Sequence, residues 1–166
     1  MTLPDRWRIA RLVAGKDLRV ELRSKILLNQ VLPFAGVMMV MFAFALDATN
    51  VLERVAPGLI WLATLFSLLL LVQRSFVIEG DDGALDALRV AGVDPVAIFW
   101  GKSLALAAQL AVLEVVLVAA AVVLYGAAVP LGGVALLVTT MLAATVGLAC
   151  VGTLYGGLTA GFTGRE

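Results

Sequence analysis

The sequence predicts an all-α integral membrane domain. It has an N-terminal interfacial helix, four transmembrane helices and a short water-facing helix between spans two and three. Three observations predict this. Of the 166 residues, 62% are apolar and 14% charged, against about 45–50% and 25% in a soluble domain. The apolar residues gather into four runs, each long enough for a hydrocarbon core of ~30 Å. Between the second and third runs stands a compact acidic island, VIEGDDGALDALRVAGVDP, residues 77–95. One membrane domain fits the length, with residues 1–25 interfacial, 26–46, 58–76, 95–125 and 134–162 transmembrane, and 78–94 forming the water-facing segment.

Residues 1–25 mix charged and apolar side chains and hold seven of the twelve basic residues. Pro4 suits a first helical turn. Ile9, Val13, Val20 and Leu27 fall on one stripe at helical spacing, with Arg8, Arg11, Arg19 and Arg23 mostly elsewhere and Lys16 near the stripe. Glu21 and Lys25 stand at i, i+4 and can pair. A helix at the cytoplasmic membrane surface, its basic side chains among the headgroups, fits this pattern; the competing reading is a solvated basic tail, for which the apolar content is too high. A cleaved signal peptide is not expected, because the charged region is long and no short apolar core with a small-residue cleavage site follows it.

Residues 31–46 alone give about 16 apolar positions, short for a span, so the first span is extended back to residue 26 and length of about 21. Residues 47–57 read as a polar connection. The second span, 58–76, is rich in Leu, with Trp61 as an interfacial anchor. The third, 95–125, has a marked start: Asp94 can cap it and Pro95 fits its first position. Residues 126–133 form a tight turn. The fourth, 134–162, carries Gly147, Gly152, Gly156, Gly157 and Gly161, which fit either a closely packed face or a kink. The N-terminal segment is basic, the 74–102 connection holds Arg74, Arg89 and Lys102, and the 126–133 turn has no basic residue. Both termini are therefore expected in the cytoplasm.

Composition excludes several chemistries. The formal net charge of zero gives no reason to expect nucleic-acid binding, and there is no histidine, the commonest general base and metal ligand. Cys150 is the one cysteine, so no internal disulfide and no Cys-based metal site can form. No Gly-rich phosphate loop with its Lys is present, which places any ATP hydrolysis on another chain. No catalytic residue is assigned. Met38, Met39 and Met41 lie in an apolar span, where methionine packs.

The acidic island carries the strongest functional signal. Asp81 or Asp82 can cap a helix of about Gly83 to Ala91 that Gly92 ends. Ala84, Leu85, Leu88 and Ala91 give it an apolar face. So short a helix needs a dock, and its negative charge disfavours anionic lipid, which leaves a protein groove on a soluble partner. The bland reading is a connector packed on its own spans. Glu79, Asp81, Asp82 and Asp86 lack the alternating ligand pattern of a calcium loop, so no metal is assigned. Glu114 is the second signal. It lies mid-span between LAVL and VVLV, where an ionisable group is costly and points to function by default. Either it lines a path, or it sits in an interface satisfied by hydrogen bonds.

Residues 16–162 resemble the B subunit of the cytochrome c maturation system, CcmB, the haem-exporter permease of an ABC-type complex. The resemblance rests on KDLRVELRSK (16–25), RVAPGLIWLATLFSLLLL (54–71), the island with DDGALDALRVAGVDP, WGKSLA (100–105) and TVGLACVGTLYGGLTAGF (145–162). It implies an ABC-2-like permease in the bacterial inner membrane whose ATPase is a separate CcmA-like subunit. Glu79, Asp81, Asp82, Leu85 and Leu88 would belong to the coupling helix that docks on it. CcmC-like and CcmD-like membrane subunits, a second copy of the permease and membrane lipid are the other implied partners. Haem would be a handled or transported ligand, with no cofactor bound covalently, and the complex would help release the haem-loaded chaperone CcmE. The family normally has six spans and this sequence shows four, so a C-terminally shortened form, a split gene or a fragment is expected. An ABC-2 permease for another substrate and an inactive truncated permease are the alternatives; the APGLIW segment favours the haem exporter.

Overall fold

A computed structural model describes the backbone of residues 3–46, 49–81, 90–128 and 131–163, and the side chains of residues 5–46, 51–76, 90–128 and 132–159. The described residues are helical apart from short connections. In chain order they form α1 (Leu3–Ser24), a π-helical turn (Leu27–Val31), α2 (Leu32–Ala45), α3 (Thr49–Asp81), α4 (Pro95–Tyr125), a 3-10 turn (Leu131–Gly133) and α5 (Val134–Thr163). Among them, four stretches are long and apolar enough to cross a membrane: Leu27–Ala45, Val51–Phe76, Pro95–Tyr125 and Val134–Thr159.

The central element is α4, which packs against α1, α2, α3 and α5. Its buried positions (among them Ala97, Gly101, Ala105, Leu110, Leu113, Leu117, Ala121 and Tyr125) recur every three to four residues along its whole length, which lets one helix serve as a common wall. Asp94 caps it, its Oδ1 accepting from the Val96 N–H at 2.9 Å, and Pro95 occupies the first turn. Gly126 ends it in the left-handed region, φ 65°, a conformation that costs glycine nothing. At that end the Tyr125 hydroxyl donates to the Met39 carbonyl at 2.8 Å, fixing α2 to α4. The fourth span is the least enclosed: 11% of its most apolar stretch is buried, against 39% for α3, so most of α5 faces outward.

Four local features depart from the sequence reading. The segment expected as a polar connection is helical from Thr49 onward, with Pro57 inside α3. Pro57 removes one backbone hydrogen bond, but Leu52 and Ala56 are buried in the core and hold the turn around it. The first span opens with the π turn. Pro33 follows within two residues, and a wider turn relieves the clash between a proline ring and the preceding carbonyls. The Glu21–Lys25 pair is replaced: Lys25 adopts φ 53° and the Glu21 carboxylate instead accepts from the Leu27 N–H at 2.5 Å, so Glu21 joins α1 to the next turn. On α1, Val20 is exposed and the buried face is Ala10, Val13 and Ala14. Small side chains select that face because it lies against a glycine.

That glycine is Gly101. A Cβ built there would stand 2.6 Å from Val13 Cβ and 2.8 Å from the Ala10 carbonyl oxygen, inside contact distance with the backbone of α1. Gly101→Ala is therefore expected to push α1 off α4 at a cost of about 1–3 kcal/mol. Limited proteolysis after α1 checks this; cleavage no faster than in the parent chain contradicts it. On α5, Gly152 and Gly156 meet the side chains of Leu68, Val72 and Phe76, while the helix runs unbroken to Thr163. Close packing, rather than a kink, is what these two glycines provide.

Candidate functional site

The acidic segment links α3 to α4 along the chain, so whatever acts on it acts through the ends of those two helices. Glu79 and Asp81 lie in the last turn of α3, which runs on to Asp81; their side chains, and Asp82, Leu85 and Leu88 altogether, fall outside the described residues. The base of the segment is well defined. There α3 arrives with Ser75 and Phe76, α4 departs with Lys102, and α1 packs on α4.

Lys102 is 4% exposed. Its Nζ is 3.5 Å from Asp17 Oδ2 on α1, 3.4 Å from Ser75 Oγ on α3 and 4.7 Å from the centroid of the Phe76 ring. One cation thus joins three helices. Desolvating an ammonium group costs several kcal/mol, and only close partners offset it; the carboxylate, the hydroxyl and the aromatic face supply them. Asp17 is shared, with Lys16 Nζ at 3.2 Å from its other oxygen. A second link binds α1 to the segment itself: Arg6 Nε is 2.7 Å from Asp94 Oδ2, on the residue that caps α4. The α4 end of the acidic segment is therefore pinned to α1 twice, by Asp17 through Lys102 and by Arg6 through Asp94, and Lys102 ties in α3 through Ser75.

Sequence reasoning missed this clasp. Lys102 reads as an end-of-span lysine, and Asp17 as one acid within a basic helix. The signal was Lys102 standing two turns inside an apolar span, where a cation needs a partner.

Glu114 is buried, 4% exposed, at the contact of α4 and α5. Its Oε2 lies 2.6 Å from Thr145 Oγ1, and its Oε1 is buried with no hydrogen-bond partner. The Thr145 hydroxyl is also 2.7 Å from the Met141 carbonyl. One helical turn further toward the Tyr125 end, a cavity of about 770 Å³ opens between α3, α4 and α5, its wall including Arg54, Trp61, Val118 and Met141. The clasp and Glu114 are separate sites, twelve residues or about 18 Å apart along α4. Among the described residues, no group of three or more Cys, Asp or Glu side chains is placed to hold a metal ion.

The chain matches the family model described as CcmB protein over residues 8–166. It is similar to the Heme exporter protein B of Escherichia coli, 36% identical over 83 residues, which are 49% of this chain and 36% of that protein. It is also similar to the Heme exporter protein B of Rhodobacter capsulatus, 30% identical over 96 residues, 57% of this chain and 44% of that protein. The matched stretches therefore cover less than half of either relative. No solved structure matches the chain.

Proposed function

Because the chain belongs to the CcmB family, we propose that it is the membrane permease subunit of an ABC-type haem exporter complex acting in cytochrome c maturation. The family match over nearly the whole chain carries this reading. ATP is hydrolysed on a separate CcmA-like subunit, and this chain performs no catalysis. The ATPase docks on the acidic segment through Leu85 and Leu88, with Glu79, Asp81 and Asp82 supplying negative charge. Haem is the ligand handled, and CcmC-like and CcmD-like subunits and a second copy of the chain complete the assembly in the bacterial inner membrane.

The clasp supports a mechanism for the coupling. A push on the segment reaches α3 and α4 together, because Lys102 bonds to Ser75 on one and belongs to the other. It also reaches α1, through Asp17 and Arg6. The segment and α1 then move as one body, and α4, packed on every other span, passes that motion to the bundle. Membrane-surface placement of α1 is supported by its outer face, where Trp7, Leu12 and Leu22 are exposed beside Arg8, Arg11, Arg19 and Arg23, a pairing suited to the headgroup boundary. The same basic face supports a cytoplasmic N-terminus. Deleting the gene in its host and staining membranes for covalently bound haem tests the proposal. Loss of mature c-type cytochromes, restored by the full-length gene, is expected; undiminished staining contradicts it.

A further inference from the structure

We infer that Glu114 is a proton-binding site, occupied in this arrangement: the side chain is a carboxylic acid whose O–H donates to Thr145. The argument is a count of hydrogens. Thr145 Oγ1 is 2.6 Å from Glu114 Oε2 and 2.7 Å from the Met141 carbonyl oxygen. A hydroxyl has one proton. Were Glu114 a carboxylate, both neighbours would be acceptors and one proton would have to serve contacts of 2.6 and 2.7 Å, both shorter than the 2.8–3.0 Å contacts that Thr139 and Thr140 each share between two carbonyls. A proton on Glu114 resolves both. The acid then donates to the Thr145 oxygen, and Thr145 donates to the carbonyl one turn back, as Thr139 and Thr140 do on the same helix.

Charge points the same way. No Asp, Glu, Lys or Arg other than Glu114 occurs in residues 26–46, 55–73 or 103–164. α2 and α5 therefore bring no charge against Glu114. On α3 residues 55–73 carry no charge, and by the register of the Lys102–Ser75 contact Arg54 and Arg74 each stand about ten residues, or about 15 Å, from the level of Glu114. On its own helix Lys102 is about 18 Å away and held by Asp17. A carboxylate here would be an unpaired charge at span centre, the costliest placement for it; the acid is neutral. Its remaining oxygen, Oε1, is an acceptor left over by α4, and Ser67 Oγ on α3 is a hydroxyl likewise buried without a partner. By the register of the Lys102–Ser75 contact, Ser67 lies about four residues along α3 from the level of Glu114. The cavity wall at Val118 and Met141 is one turn from both Glu114 and Thr145.

The inference concerns this chain alone and does not rest on the transport reading. Infrared spectra of the full chain in lipid nanodiscs at neutral pH test it. The parent chain is expected to show the carbonyl band of a protonated carboxyl group, shifted in deuterated buffer and absent from Glu114→Gln. Thr145→Val, which removes the acceptor and keeps the shape, should move the band. Labelling with isotope-substituted glutamate reads the same band in the unmutated chain, should a variant fail to insert. Absence of the band, its persistence in Glu114→Gln, or insensitivity to the glutamate label overturns the assignment; a band unmoved in Thr145→Val overturns the Thr145 bond.

Discussion

Asp17→Ala is expected to destabilise the chain by about 3 kcal/mol, whereas Lys102→Met should cost clearly less. The asymmetry follows from what each change leaves behind. Without Asp17, the Lys102 ammonium stays 4% exposed and has lost the Asp17 carboxylate, with Ser75 and Phe76 among its remaining partners. Without Lys102, a thioether of similar reach fills the same apolar surroundings, and Asp17 keeps Lys16 at 3.2 Å. Removing one member of a buried pair is far costlier than replacing the buried charge with a fitting apolar group. Thermal unfolding of the detergent-solubilised chain measures the order. Equal losses, or a greater loss in Lys102→Met, would contradict a buried clasp.

The second large effect concerns the partner. Replacing Leu85 and Leu88 together with Asp is expected to abolish association with the ATPase while the chain still inserts. The helical spacing of Ala84, Leu85, Leu88 and Ala91 supplies an apolar face that a groove must cover. Two buried carboxylates there would each face a desolvation penalty of several kcal/mol, more than a small helix-in-groove contact gains. On the proposed reading, the acidic side chains of the segment would steer the approach and respond to salt, and the leucines would set affinity.

How far the sequence discloses this molecule can be judged residue by residue. The spans are legible because bilayer thickness demands long apolar runs, and the start of α4 is legible because Asp94 and Pro95 are local signals that act within two residues of themselves. Glu114 stands out for the same reason that makes it costly, a carboxyl group amid LAVL and VVLV. The Lys102 clasp is not legible. Its carboxylate lies 85 residues earlier in the chain, and no periodicity links a lysine on one helix to an aspartate on another. The docking face of α1 also escapes a reading based on bulky residues, because Ala10 and Ala14 are chosen by the glycine opposite, Gly101. Pro57 misleads in the other direction. A proline near a polar stretch reads as a boundary, yet tertiary packing of Leu52 and Ala56 carries α3 through it.

These features share one physical theme. Two of the buried ionisable sites lie at different depths and are handled differently. At the base of the acidic segment, charges are paired across helices, which stiffens the place where force would enter. At mid-span, Glu114 has no counter-charge and meets a hydroxyl instead. A stiff input and a neutral, hydrogen-bonded centre suit a bundle whose helices rearrange around α4.

The central claim, that a separate ATPase engages this chain through the acidic segment, is tested most directly by co-purification. The chain is co-expressed with a CcmA-like ATPase, membranes are solubilised, and one partner is captured with and without the Leu85→Asp and Leu88→Asp changes. The account predicts a stable complex that the two changes abolish, with the chain still recovered from the membrane. A complex that survives them unchanged would contradict it.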